Sequence, residues 1–247
     1  MKIPIAYVFL LLINSIIALQ TIIVFLKYRT KSISLPGVIA SATIGFYSFG
    51  YAMELLYIYT YDQIKASFWY KIQYFAIPYL ALSWFFFVSS FVGRKISKKE
   101  VIALLVIPIT STFLAWTNDF HHLFLRGYLE NGSYIMRGPF YYVQIIFSYI
   151  LSFASYYLLI NMVHKYNLLV RKTTIIHLFS AIIIPVSLSL LYIIFNLNID
   201  LTPFGLMASV IIFLYEAQRL QGLDLENEIK DVVYNNSKDM FIVTDEE

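Results

Sequence analysis

Seven apolar runs, each bounded by a short polar link, leave this sequence few ways to fold. They cover Ile3–Leu26, Leu35–Tyr59, Phe68–Val92, Val101–Trp116, Phe140–Val163, Ile175–Leu197 and a last stretch from Pro203 to about Ala217. A membrane-crossing helix needs roughly 17–25 mostly apolar residues, so the fourth run sits at the lower limit. The first is too long for the apolar core of a signal peptide and has no small-residue cleavage site. The chain is 60% hydrophobic and 13% charged, against about 45–50% and about 25% in a soluble domain. The expected fold is all-α: a seven-transmembrane helix bundle in the cell membrane.

Basic residues set the expected orientation. The first, third and fifth links carry Lys27, Arg29, Lys31, Arg94, Lys95, Lys98, Lys99, Lys165, Arg171 and Lys172. The opposite side carries Lys2, Lys65, Lys71, Arg126 and Arg137 over a longer total sequence. The positive-inside rule then puts the N-terminus outside and the C-terminus in the cytoplasm. Tyr57, Tyr59, Trp69, Trp116, Tyr141 and Tyr142 fall at the outer boundaries, where an aromatic belt belongs. Pro36 suits the first turn of the second helix and Pro203 that of the seventh, with Thr202 as N-cap. Pro78 and Pro185 lie inside the third and sixth spans and favour kinks.

The polar residues inside these runs are the candidates for chemistry. Glu54 is the sharpest, an acid well inside the second span, on the order of 10 Å from its outer end. Such a group is paired, protonated or facing water. Lys71 and Gln73 of the third span, Gln144 of the fifth, Asn196 at the end of the sixth and Asp200 just above lie at comparable depth. Two readings stay open: Glu54 bonds Lys71 or Gln73 to hold helices together, or the set recognises a ligand or a proton. The segment Thr117–Pro139 holds Asp119, His121 and His122. Adjacent histidines lack the spacing of a helical metal motif, so no metal is assigned. With Gly127, Gly132 and Gly138 the segment reads as a lid or ligand-access surface. His164 and His177 sit at the cytoplasmic boundary, and Asn14 is expected to bond another helix.

Several classes are excluded or disfavoured. The chain has no cysteine, which removes disulfides and thiolate metal sites. The seventh run has no lysine for a retinal Schiff base, no Gly-rich phosphate loop is present, and no cofactor or nucleic-acid partner is implied. Internal repeats of the kind secondary transporters show are absent. A transporter or channel using Glu54 is the alternative to a sensor, and a membrane-embedded enzyme using Glu54 with the loop histidines is a third reading.

Glu54, Trp69, Gln73 and Pro78, then Thr117-Asn-Asp-Phe-His-His122, Gly138, Phe140, Pro185 and Asp200-Leu-Thr-Pro203 together carry a resemblance. Over about residues 5–220 the chain resembles the seven-transmembrane N-terminal input region of bacterial histidine kinases, also found in front of diguanylate cyclases. Asp119 stands where that pattern has a proline. The resemblance implies a sensory module at residues 1–219 that detects an extracytoplasmic or membrane-borne signal: a small ligand, an ion or a lipid. Residues 220–236 read as a cytoplasmic signalling helix, with Leu225, Ile229, Val232 and Asn236 on a coiled-coil seam that implies a homodimer. Residues 237–247 resemble the start of a PAS domain, so the chain reads as stopping where a further domain begins. Its kinase or cyclase output would lie beyond.

Overall fold

A computed structural model describes residues 5–27, 31–128, 135–165, 172–195, 197 and 199–222. Helices α1 (Ile5–Lys27), α2 (Lys31–Tyr59), α3 (Gln63–Gln73), α4 (Ile77–Phe91) and α5 (Lys98–Trp116) come first. After a one-turn helix α6 (Asn118–His121), strands β1 (Leu125–Tyr128) and β2 (Ile135–Arg137) pair antiparallel as a small hairpin. Helices α7 (Pro139–Lys165), α8 (Lys172–Ile194) and α9 (Thr202–Gly222) complete the bundle. Hydrocarbon offers the backbone no hydrogen-bond partner, so apolar runs of this length satisfy their own groups as helices.

The side-chain pattern is that of a helix in lipid. On α1 the buried stripe runs Tyr7, Leu11, Asn14, Ala18, Thr21 and Phe25 at alternating spacings of four and three, with Val8 beside it. Its exposed face is Phe9, Ile13, Ile16, Leu19, Ile23 and Leu26. Asn14 and Thr21 therefore point inward and many large aliphatics outward, the reverse of a soluble helix. Asn14 donates to the Ser48 hydroxyl of α2 at 2.9 Å and to the Pro203 carbonyl at 3.2 Å, the interhelical role expected of it.

Among the described residues five helical stretches are long and apolar enough to cross a membrane: α1, Gln63–Phe91, α5, α7 and α8. α2 is longer but richer in Ser, Gly and Tyr, and the apolar part of α9 covers only Thr202–Glu216. Neighbours in the bundle run α1, α2, α4, α7, α8, α9 and back to α1, while α5 flanks α4 and α7. α2 also touches α3 and α9, and so holds the centre.

Three boundaries differ from those expected. α2 begins at Lys31, which leaves Pro36 inside the helix instead of in its first turn. Gln63 to Ser67, read as part of the link Tyr61–Ser67, belong to α3, because Asp62 caps it by accepting the Lys65 amide at 3.1 Å. The Lys65 side chain also bonds that carboxylate at 2.9 Å and holds Asp62 below the ordinary carboxylate range. Thr202 is the first helical residue of α9 and not its N-cap; the Asp200 carboxylate takes the Thr202 amide instead.

The third span is broken rather than bent. Pro78 lacks an N–H and its ring crowds the carbonyl four residues back, that of Tyr74. α3 accordingly stops at Gln73, a tight turn through Tyr74–Ala76 follows, and α4 restarts with Pro78 in its first turn. The released Tyr74 carbonyl accepts the Thr112 hydroxyl of α5 at 2.8 Å. Pro185, by contrast, sits within a continuous α8.

Two regions of the earlier reading lie outside the described residues. They are the seam at Leu225, Ile229, Val232 and Asn236 with the PAS-like stretch, and Gly132.

Candidate functional site

α9 starts deep in the bundle. Its first turn is tied to Asn14 and Ser48, and Ser48 lies roughly 16 Å along α2 from Tyr59. A helix that begins near mid-depth needs fewer residues to reach the far side, which explains the short apolar stretch of α9. Beside its start lies a cavity of about 230 Å3, walled by α2, α3, α4, α7, α8 and α9.

Glu54 is buried on that wall, and Gln73 donates its amide to Glu54 Oε2 at 2.6 Å. Gly50, one turn back along α2, makes this possible. A Cβ there would lie 2.8 Å from Gln73 Cγ, so only glycine lets the glutamine stem pass. Gln144 reaches the same cavity from α7. Its carbonyl accepts the Ser111 hydroxyl at 2.6 Å, and its amide donates to Ser148 at 3.1 Å and to the Pro78 carbonyl at 3.4 Å.

Asp200 sits on the wall beside the start of α9. Its Oδ2 accepts the Tyr47 hydroxyl at 2.7 Å, and its Oδ1 accepts both the amide and the hydroxyl of Thr202. The Asp200 amide donates to the Tyr51 hydroxyl at 3.1 Å, and its carbonyl accepts Tyr7. Tyrosines from α1 and α2 thus grip the residue that starts α9.

The candidates do not all come together. Glu54, Gln73, Gln144 and Asp200 share the cavity wall. Lys71 is not on it: its ammonium lies 2.6 Å from Asp119, so it does not pair with Glu54. Two residues apart on a helix is about 200°, so Lys71 and Gln73 cannot both face α2. His121 and His122 shape the turn after α5. The His121 ring bonds the Thr117 hydroxyl at 3.0 Å and accepts the Leu123 amide at 3.0 Å, and His122 ends α6 in a left-handed conformation. Asn196 lies outside the described residues.

The segment between α5 and α7 is a built structure. Asn118 is its peg: its side-chain oxygen accepts the Phe124 and Leu125 amides, and its amide donates to the Leu125 carbonyl. Gly138 returns the chain against that turn, donating to the Phe124 carbonyl at 2.7 Å. A Cβ at Gly138 would meet the Leu123 carbonyl oxygen at 2.2 Å, so backbone approach fixes the glycine.

Other elements of the site carried a weaker signal. Seven tyrosines line the cavity: Tyr47, Tyr51, Tyr70, Tyr74, Tyr141, Tyr149 and Tyr192. The pairs 47/51 and 70/74 recur at a helical spacing of four, which marks shared faces. Arg137, at the end of β2, stands over the rings of Tyr141 at 5.0 Å and Tyr192 at 5.6 Å. Glu54 is also not alone as a buried acid. Glu216 near the other end of α9 is fully buried and bonds His177 Nδ1 on α8, which places that histidine at a helix contact.

A sequence model of the N-terminal 7TM region of histidine kinase matches residues 9–226. No curated protein matches the chain, and no solved structure does.

Proposed function

The chain belongs to the family of N-terminal 7TM regions of histidine kinases, and from that membership we propose that occupancy of the tyrosine-lined cavity is its signal and α9 its output rod. A multi-pass membrane protein and a membrane sensory module follow from the family; the signal, the direction of sensing and the transmission route are our reading. In it, the cavity and the hairpin face outward, the tail of α9 faces the cytoplasm, and a kinase or cyclase output is driven from that tail, with two copies pairing through the signalling helix.

One observation carries the reading. The cavity wall and the anchorage of α9 share residues, because Asp200 and Thr202 belong to both. A ligand shifts a two-state equilibrium only by its differential affinity for the two states. Moving a population from about 1:99 to about 99:1 takes roughly 5.5 kcal/mol. Hydrogen bonds to charged groups contribute about 1.5–3 kcal/mol each, so exchanging two or three of those at Asp200 is on the needed scale. The ligand does not have to move the bundle. It has only to compete for the tyrosines and the threonine that hold the start of α9.

The test is a single-residue deletion just after Gly222 in the full-length protein, which turns everything downstream by about 100° relative to α9 if the helix is continuous. Altered or locked output in the intact protein supports transmission through α9. Unchanged output refutes it, and solute flux through vesicles carrying the chain would replace the sensor with a transporter.

A further inference from the structure

Resting on the reading of the cavity as a ligand site, we infer that its ligand is a small organic cation. The charged side chains on the described wall are of one sign. Glu54 and Asp200 are acids, and none of the described lining residues is Lys, Arg or His. Lys71 is drawn off to Asp119, and Arg137, the cation whose charge reaches Asp200, stands over two rings of the wall and is not among its lining residues. Gln73 meets one oxygen of Glu54, Oε2, and brings a neutral amide, not a charge. A carboxylate at this depth gains from a mobile positive partner.

The rest of the wall suits the same class. The tyrosine hydroxyls are largely committed to one another and to neighbours. Tyr47 serves Asp200, Tyr51 takes the Asp200 amide, Tyr70 and Tyr74 bond each other at 2.6 Å, and Tyr149 meets Ser189 at 3.2 Å. What they leave for a ligand is ring face, and a ring face attracts cations within about 6 Å of its centroid. The protein already shows this preference. The Arg137 guanidinium sits over Tyr141 and Tyr192, two rings of the same wall. An anion would find Arg137 attractive but would face both carboxyls once inside, so charge selects the cation.

A charge series of one shape tests the class. Choline, the neutral 3,3-dimethylbutanol and the anionic 3,3-dimethylbutyrate are titrated into the full chain in lipid nanodiscs, together with n-butylammonium as a primary amine. Binding is read from thermal stability and from tryptophan fluorescence, since Trp84 lines the cavity. The inference expects saturable binding of at least one of the two cations, with the neutral and anionic isosteres weaker by roughly tenfold or more. Glu54→Gln should weaken the cation by a similar factor while leaving the unliganded melting temperature near wild type. Because the wild-type series needs no variant, a misfolded Glu54→Gln would not spare the inference. Equal binding of the neutral isostere, or preference for the anion, overturns the cationic class and keeps the cavity as a ligand site. If none of the four binds, the cationic class also falls. Output of the full-length protein that is indifferent to both Glu54→Gln and Asp200→Ala would bring down the ligand site itself.

Discussion

Replacing Gly50 with alanine should be harmful in one background and helpful in another. The added Cβ would stand 2.8 Å from Gln73 Cγ, where carbon atoms ordinarily rest about 3.5–4.0 Å apart. If Gln73 holds its place, overpacking costs about 1–3 kcal/mol. If it retreats, its 2.6 Å bond to Glu54 is lost, at about 1.5–3 kcal/mol for a bond to an acid. Alanine returns about 0.8–1.0 kcal/mol over glycine in a helix interior. The net expectation is a loss of about 1–2 kcal/mol. In a Gln73→Ala background no remaining atom lies closer than an ordinary 3.8 Å. There Gly50→Ala should stabilise by about 0.8–1.0 kcal/mol, the helix gain alone. Unfolding in mixed micelles, titrated with a denaturing detergent, measures all four corners of the cycle. A coupling of about 2–3 kcal/mol and a change of sign are expected. Equal effects of Gly50→Ala in both backgrounds would refute the placement of Gln73 over Gly50, and with it the inner geometry of the site.

Gly138→Ala brings a Cβ to 2.2 Å from a backbone oxygen that has no side chain to yield. The hairpin should lose about 3 kcal/mol of local stability, seen as faster proteolysis between Thr117 and Pro139 with the helices intact; unchanged cleavage would contradict the packing. Lys71→Met removes an ion pair whose aspartate is largely exposed. It should change stability by less than about 1 kcal/mol and leave full-length output unaltered, whereas Glu54→Gln alters output at normal expression. Matching output changes in the two variants would return Lys71 to the site.

The sequence made the spans legible because lipid demands long apolar runs, and the order of the elements followed. A partner for Glu54 on the third span, Lys71 or Gln73, was legible for the same reason: polar residues at like depth on adjacent antiparallel spans have few other places to go. Lys71 was misplaced by treating depth as sufficient, when helical phase puts it on the other side of α3 from Gln73. Asp200 was found as a residue but set too high, since nothing in the apolar pattern says that α9 starts near the level of Ser48. Of the cavity tyrosines only Tyr141 figures in the expected boundary belt, because aromatic residues serve both purposes. Only the spacing of Tyr47/Tyr51 and Tyr70/Tyr74 separates the two. Glu216 was overlooked because it lies at the edge of an apolar run, where acids are commonly solvated, and its contact with His177 depends on how α8 meets α9.

The coupling of the cavity to α9 is tested most directly by a distance. The chain contains no cysteine, so spin labels can be placed at Ile23→Cys on α1 and Ile211→Cys on α9, both lipid-exposed. Dilution with unlabelled protein isolates the distance within one chain. Asp200→Ala removes the acceptor shared by Tyr47 and Thr202, and should shift the mean distance by about 1–2 Å, the scale of helix movements in switching proteins. Superimposable distance distributions with and without Asp200 would contradict the claim that the cavity is read through α9.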